Sequence, residues 1–359
     1  MIGSSGLTVG RAVDWQFAAT VGQRLVRPAP PFTEYTRRQV IDQLRAAVHT
    51  ARQPVSEVTG LDIGALVPPT QVVDRPGWIR AGAQSMQAMT GGTDNPQGWW
   101  TGRVTGAQAG VVLAFVAAGI LGQYDPFTNA AGGSLLLVYP NVIAVERQLR
   151  VDPADFRLWV CLHEVTHLVQ FAAHPWLADY MRAALATVTQ ESSDDALQVA
   201  GRLAEFIRGG HGTGSAHSGQ PDSPASADSP PGILGLLRAV QSEPQRAALD
   251  QLLLLGTLLE GHADHVMDAV GPTVVPSVAT IRSRFDERRH RRQPPLQRIL
   301  RALLGMDAKL SQYTRGKAFV DHVVDRVGMA RFNAIWTGPD ALPVSGEIEN
   351  PQRWIDRVL

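Results

Sequence analysis

The sequence predicts an α+β protein, predominantly helical, forming one domain over residues 1–359 with a small sheet beside a single motif-bearing helix. Three observations predict it. Apolar residues recur at helical spacing along most of the chain. One short apolar run, Ser134-Leu-Leu-Leu-Val-Tyr139, has the length of a strand. Soon after it, an apolar helical stretch carries His163-Glu164-Val165-Thr166-His167.

Taken in order, helical periodicity covers about 14–52, interrupted by the Arg-Pro-Ala-Pro-Pro segment at 27–31. A proline-containing connector at 67–76 precedes a helix at 78–89, and Gly91-Gly-Thr-Asp-Asn-Pro96 reads as a loop. The run at 107–122 is broken by glycines and is shorter than the roughly 20 residues that cross a bilayer, so it predicts a buried core helix. Residues 123–127 and a turn at 131–133 lead into the strand at 134–139, which Pro140 confines to a sheet edge or a strand end. Asp152-Pro-Ala-Asp155 supplies a capping aspartate, a proline at the first helical position and a first-turn acid; the motif helix it opens should stop before Pro175. Residues 209–232, rich in Gly, Ser and Pro, bury too little apolar surface to offset the entropy of ordering and predict a disordered surface loop. Helical patterning resumes near 233 and continues to about Gly328, with breaks at Gly271-Pro272 and Pro294-Pro295. The tail is turn-rich and ends in a short helix.

With 33 basic and 33 acidic residues, the balance calls for neither nucleic acid nor an anionic membrane surface. The basic stretch 282–292 is interrupted by Asp286 and Glu287 and lacks interleaved aromatics, as a solvated helix end does. One cysteine, Cys161, excludes an internal disulfide and fits a reducing cytoplasm. The N-terminal segment lacks the basic and apolar regions of a signal peptide.

The chemistry lies in His163, Glu164 and His167. Histidines four apart sit about 40° apart around a helix and one turn up, so both imidazoles can meet one ion. Zinc is the expected cofactor: it acidifies water, and Glu164 stands where a carboxylate can take the proton. A catalytic zinc needs a third protein ligand. The HExxHxxGxxH solution fails, because Gln170 and Ala173 occupy its glycine and histidine positions. His174 lies about 10 Å along the helix from His167, too far to share the ion. The segment Leu258-Leu-Glu260-Gly-His262-Ala-Asp264-His265 is the better source. Glu260 and Asp264 share a helix face, so Glu260 can bind the metal while Asp264 hydrogen-bonds the far nitrogen of a ligand histidine, with Gly261 leaving room beside the ion. His262 and His265 are rival ligands or oxyanion donors, and Tyr313 is a third candidate donor.

These residues carry a resemblance. Leu162-His-Glu-Val-Thr-His-Leu-Val-Gln-Phe171, Leu259-Glu-Gly-His-Ala-Asp264 and Val266-Met-Asp268 resemble the zincin-like DUF2342 family. So do Gly122-Gln-Tyr-Asp-Pro-Phe127, Tyr139-Pro-Asn-Val-Ile-Ala-Val-Glu-Arg147, Gln312-Tyr313 and Gly316-Lys-Ala-Phe-Val320. The similarity covers nearly the whole chain outside the Gly/Ser/Pro loop. It implies a zincin-like fold, a zinc-dependent metalloprotease or hydrolase activity, and a site at His163, Glu164 and His167. The third ligand, Glu260, is carried over from the glutamate-zincin pattern. One branch of the family is labelled coenzyme F420 biosynthesis-associated. The expected function is a peptidase or amidase acting on a peptide or small amide. The alternatives are a non-catalytic metal-stabilised binding protein and an accessory hydrolase of F420 metabolism.

Overall fold

Helices α1 (Trp15–Leu25) and α2 (Glu34–Thr59) form where the first periodic stretches stand, each opened by a capping side chain: Asp14 accepts from Phe17 N, and Thr33 from Thr36 N. The computed structural model describes residues 13–63, 68–92, 99–129, 132–189, 242–290 and 306–359. The predicted loop at 209–232 and the break at Pro294-Pro295 lie outside those residues. Helix α2 runs past the expected end near Arg52, through Pro54, and closes on Gly60 in the left-handed conformation (φ 64°) that glycine adopts without steric cost.

The connector at 67–76 holds a strand that periodicity does not reveal, β1 (Thr70–Val73), followed by α3 (Arg75–Thr90) and α4 (Trp99–Ala117). Strands β2 (Gly122–Asp125) and β3 (Ser134–Val138) complete a three-stranded sheet of order β1-β3-β2. Four-residue strands carry too few alternations for the sequence to register a period of two. The expected strand is the central one, parallel to β1 and antiparallel to β2. Pro140 therefore marks a strand end, lying in the first turn of α5 (Tyr139–Leu149), where its missing N–H costs nothing.

Helix α4 departs from the buried helix expected of it. Its glycines do not break it; they face α1, where a Cβ on Gly106 would stand 2.6 Å from Asp14 O and one on Gly110 2.6 Å from Ala18 O. The small-residue face lets two backbones approach closely, and the opposite face leaves Trp100, Val104, Val111 and Val112 exposed.

The motif helix α6 (Pro153–Ala173) begins at Asp152, whose carboxylate accepts from Ala154 N and Asp155 N, and ends before Pro175 as expected. It is buried along nearly its whole length, packed against α2, β2 and the long helix α8 (Glu243–Val270). Helix α7 (Trp176–Val188) packs on the same long helix. Arg157 holds α6 to α5 through a two-pronged pair with Glu146, Nε to Oε2 at 2.9 Å and Nη2 to Oε1 at 2.7 Å. Both side chains are buried, so removing either one would cost about 3–5 kcal/mol.

Helix α8 stops at Gly271 and is followed by α9 (Val278–His290) and α10 (Met306–Val327). The tail carries α11 (Met329–Phe332), two 3-10 turns, α12 (Ser345–Glu349) and α13 (Pro351–Val358), more helix than the sequence promises. Its Phe332, Trp336 and Trp354 join the main core, which the motif helix crosses. A second cluster, around Trp15, Trp78, Ile79 and Leu136, packs α1, α3 and α4 on the other side of the sheet. Among the described residues, no helix is long and apolar enough to cross a membrane.

Candidate metal centre

Helices α6 and α8 bring three side chains together. His163 Nε2 lies 3.2 Å from His167 Nε2, and the two oxygens of Glu260 lie 3.4 and 3.6 Å from those nitrogens. Among the described residues these three form the His/Cys/Asp/Glu group close enough to hold a metal ion. Zinc ligands at about 2.0–2.2 Å in tetrahedral array stand roughly 3.3–3.6 Å from one another, so the three atoms already have the spacing of a shared ion.

The proton inventory agrees. His167 Nδ1 donates to Gln170 Oε1 at 2.9 Å, and His163 Nδ1 stands 3.3 Å from the thioether sulfur of Met267, a weak acceptor that cannot donate. His167 thereby carries its hydrogen on Nδ1 and turns its Nε2 lone pair toward Glu260, while His163 Nε2 stands 3.4 Å from the same carboxylate. In the metal-free site a proton shared between the His163 imidazole and the Glu260 carboxylate occupies the place that a divalent cation would take. Burial opposes a charge on the His163 imidazole, but Glu260 beside it, with Glu164 and Asp264, outweighs that and raises it to about 9. Burial instead lowers His167, against the pull of Glu260. The residues thus fit zinc in number, type and spacing.

Gln170 is the residue sequence reasoning missed. It is fully buried, and its amide nitrogen donates to Leu259 O at 3.0 Å and to His262 Nδ1 at 2.9 Å. One amide thus fixes the proton on His167 and grips α8 on both sides of Glu260. The spacing of three from His167 along a helix was a readable signal, but the partners on α8 were not.

Glu164 is buried, and burial pushes its carboxyl up to about 7, with His163 opposing the rise and Glu260 adding to it. Gly122, at the start of β2, passes so close that a Cβ there would lie 2.6 Å from both Cγ and Cδ of Glu164. The segment leading into that strand is held by Asn141, whose amide donates to Ala117 O at 2.8 Å and Ile120 O at 2.6 Å. A cavity of about 360 Å³ opens between this segment and the helices, with His163, Glu164 and Glu260 on its wall.

Four of the sequence expectations need correction. Asp264 does not stand behind a ligand histidine; its carboxylate meets Arg282 Nη1 at 3.3 Å and faces the cavity, because it follows Glu260 on the same face of α8. Gly261 makes room for a helix rather than for the ion: a Cβ there would lie 2.2 Å from the carbonyl carbon of Gly316 on α10. His262 does not line the cavity; it is fully buried, stacked on Phe332 at 5.5 Å and engaged by Gln170. Burial drives its imidazole down to about 3, with the neighbouring histidines adding to the shift, so it is a neutral core residue. His265 turns toward α10, its Nδ1 2.7 Å from Asp321, and is not on the cavity wall. Tyr313 lies on α10, but its side chain is outside the described residues.

A solved structure from Chloroflexus aurantiacus, described as that of a "putative hydrolase with a novel fold", is similar to this chain at 28% identity and a TM-score of 0.64, over 96% of this chain and 98% of that one. No curated protein matches the sequence. The family model described as zincin-like metallopeptidase matches residues 13–355, nearly the whole chain. With two helix-borne histidines, the glutamate between them and that match, the chain belongs to the zincin-like metallopeptidase family.

Proposed function

We propose that this protein is a zinc-dependent hydrolase of peptide or other amide bonds, with His163, His167 and Glu260 holding the metal and Glu164 as general base. The observation that carries the reading is the meeting of two imidazole nitrogens and a carboxylate at 3.2–3.6 Å, beside a buried glutamate and an open cavity. Zinc bound there would supply Lewis-acid chemistry, polarising a carbonyl and acidifying water. Glu164 takes a proton from the attacking water as its oxygen bonds to the carbonyl carbon. The same carboxyl then delivers the proton to the amide nitrogen as the C–N bond breaks, leaving a carboxylic acid and an amine. A carboxyl raised to about 7 suits both halves of that cycle. Gly122 crowds its methylene and carboxyl carbons and so limits where Glu164 can swing.

A site that opens onto a cavity supports turnover over a purely structural metal, which has no use for an exposed face. The lone, buried Cys161 supports action in a reducing cytoplasm. A role in coenzyme F420 metabolism rests on family resemblance and assigns no residue. The test is elemental analysis of purified protein together with hydrolysis of a peptide library. His163→Ala and His167→Ala should lose zinc, and Glu164→Gln should keep zinc and lose turnover. Turnover retained in Glu164→Gln removes this glutamate as the base.

A further inference from the structure

We propose that the cavity beside the metal ligands is a side-chain slot that selects a neutral substrate carrying one aromatic or large aliphatic group next to the scissile bond. The inference rests on the hydrolase reading and adds the substrate class. Away from His163, Glu164, Glu260 and Asp264, the wall is apolar: Ile120 and Leu121 from the segment before β2, Trp159 and Val160 from α6, Met267 from α8 and Phe285 from α9. Trp159 lies one turn before His163 on the same helix face, about 5–6 Å along the axis. A group entering the slot therefore stands next to the reacting carbonyl rather than several residues away. Trp159 and Phe285 meet edge to face, with centroids 5.2 Å apart at 63°, so the slot has an aromatic corner that a third ring or a branched chain can complete.

The charge of the slot is cancelled from behind. Asp264 faces the cavity, but Arg282 pairs with it at 3.3 Å and with Asp268 at 2.6 Å while lying 5.8 Å from the Trp159 ring. A lysine or arginine side chain entering the slot would find its acid already taken, and an acidic one would meet Asp264 and Glu164. At about 360 Å³ the cavity lies at the small end of ligand sites, enough for one side chain and the bond beside it.

The test measures binding of amino-acid hydroxamates, whose head group chelates zinc, to the zinc-loaded protein by calorimetry. Phenylalanine and leucine hydroxamates should bind about 10- to 100-fold more tightly than glycine hydroxamate, the gain from burying such a side chain. Lysine and aspartate hydroxamates should bind no better than the glycine compound. Phe285→Ala should remove most of the phenylalanine gain while zinc content and glycine hydroxamate affinity stay unchanged. Equal affinity across the series, or preference for a charged member, overturns the slot and leaves the hydrolase reading standing. The apolar preference without cleavage of any peptide upholds the slot and sinks the hydrolase reading. Because the comparison is made on the unmodified protein, it stands even where Phe285→Ala fails to fold.

Discussion

Gln170 and His167 share a buried hydrogen bond of 2.9 Å in which the amide oxygen accepts the Nδ1 proton, leaving Nε2 bare toward Glu260. The same amide donates to α8 immediately before Glu260 and two residues after it. Gln170→Leu removes the acceptor and both donors. Zinc affinity should fall about 10- to 100-fold in competition with a chromogenic chelator. An unchanged affinity would show that the two helices hold their ligands without this brace.

Zinc must displace a proton from His163, whose imidazole stands at about 9 in the metal-free protein. Below that value protons compete for Nε2; above it they do not. Zinc affinity should therefore rise about tenfold per pH unit from neutrality toward pH 9 and flatten beyond, with close to one proton released per ion. Calorimetry in buffers of different ionisation enthalpy counts that proton. A flat affinity profile would contradict the charge balance at the site.

Helices α8 and α10 touch backbone to backbone where Gly261 faces Gly316, and a Cβ on Gly316 would lie 2.1 Å from Thr257 O. Gly316→Ala must push the helices apart one turn from Glu260. It should lower stability by about 1–3 kcal/mol and weaken zinc binding as well. Loss of stability with full zinc affinity would mean that α8 moves without carrying Glu260.

Gly122→Ala would place a methyl carbon where Glu164 now stands, 2.6 Å from its Cγ and Cδ. The variant should keep zinc, since none of the three ligands is touched, and lose at least tenfold in turnover through the displaced base. Wild-type rates in this variant would separate β2 from the chemistry.

His262 folds neutral: burial first, then nearby histidines, lower it from 6.5 to about 3. Above pH 6.5 neither folded nor unfolded chain binds this proton, so its contribution to stability is full. As pH falls from 6.5 toward 3, the unfolded chain takes the proton and the folded chain does not. Stability should drop with a slope approaching about 1.4 kcal/mol per pH unit in that window. Urea denaturation at pH 7 and pH 5 measures it, and His262→Phe, keeping the stack on Phe332, should flatten this part of the slope.

Local pattern alone names the helices that build the site and the side chains on them that can hold a metal. Capping at Asp152, the stop before Pro175 and the four-residue spacing of His163 and His167 are local, so their consequences can be read without the rest of the chain. Glu260 was legible because a metal with two histidines needs a third ligand, and Glu260 shares a helix face with Asp264 just after an apolar run, as in the glutamate-zincin pattern. What surrounds those side chains is set by packing between helices far apart in the chain. Asp264 turned to Arg282, Gly261 to Gly316 and His262 into the aromatic core, because helix packing sets which face of α8 meets α6, α9 or α10. The short strands β1 and β2 escaped notice for a related reason: four residues express no period, and their pairing with β3 is a long-range hydrogen-bonding decision. Periodicity names the faces of a helix; the neighbours that cover them are chosen by packing across the whole chain.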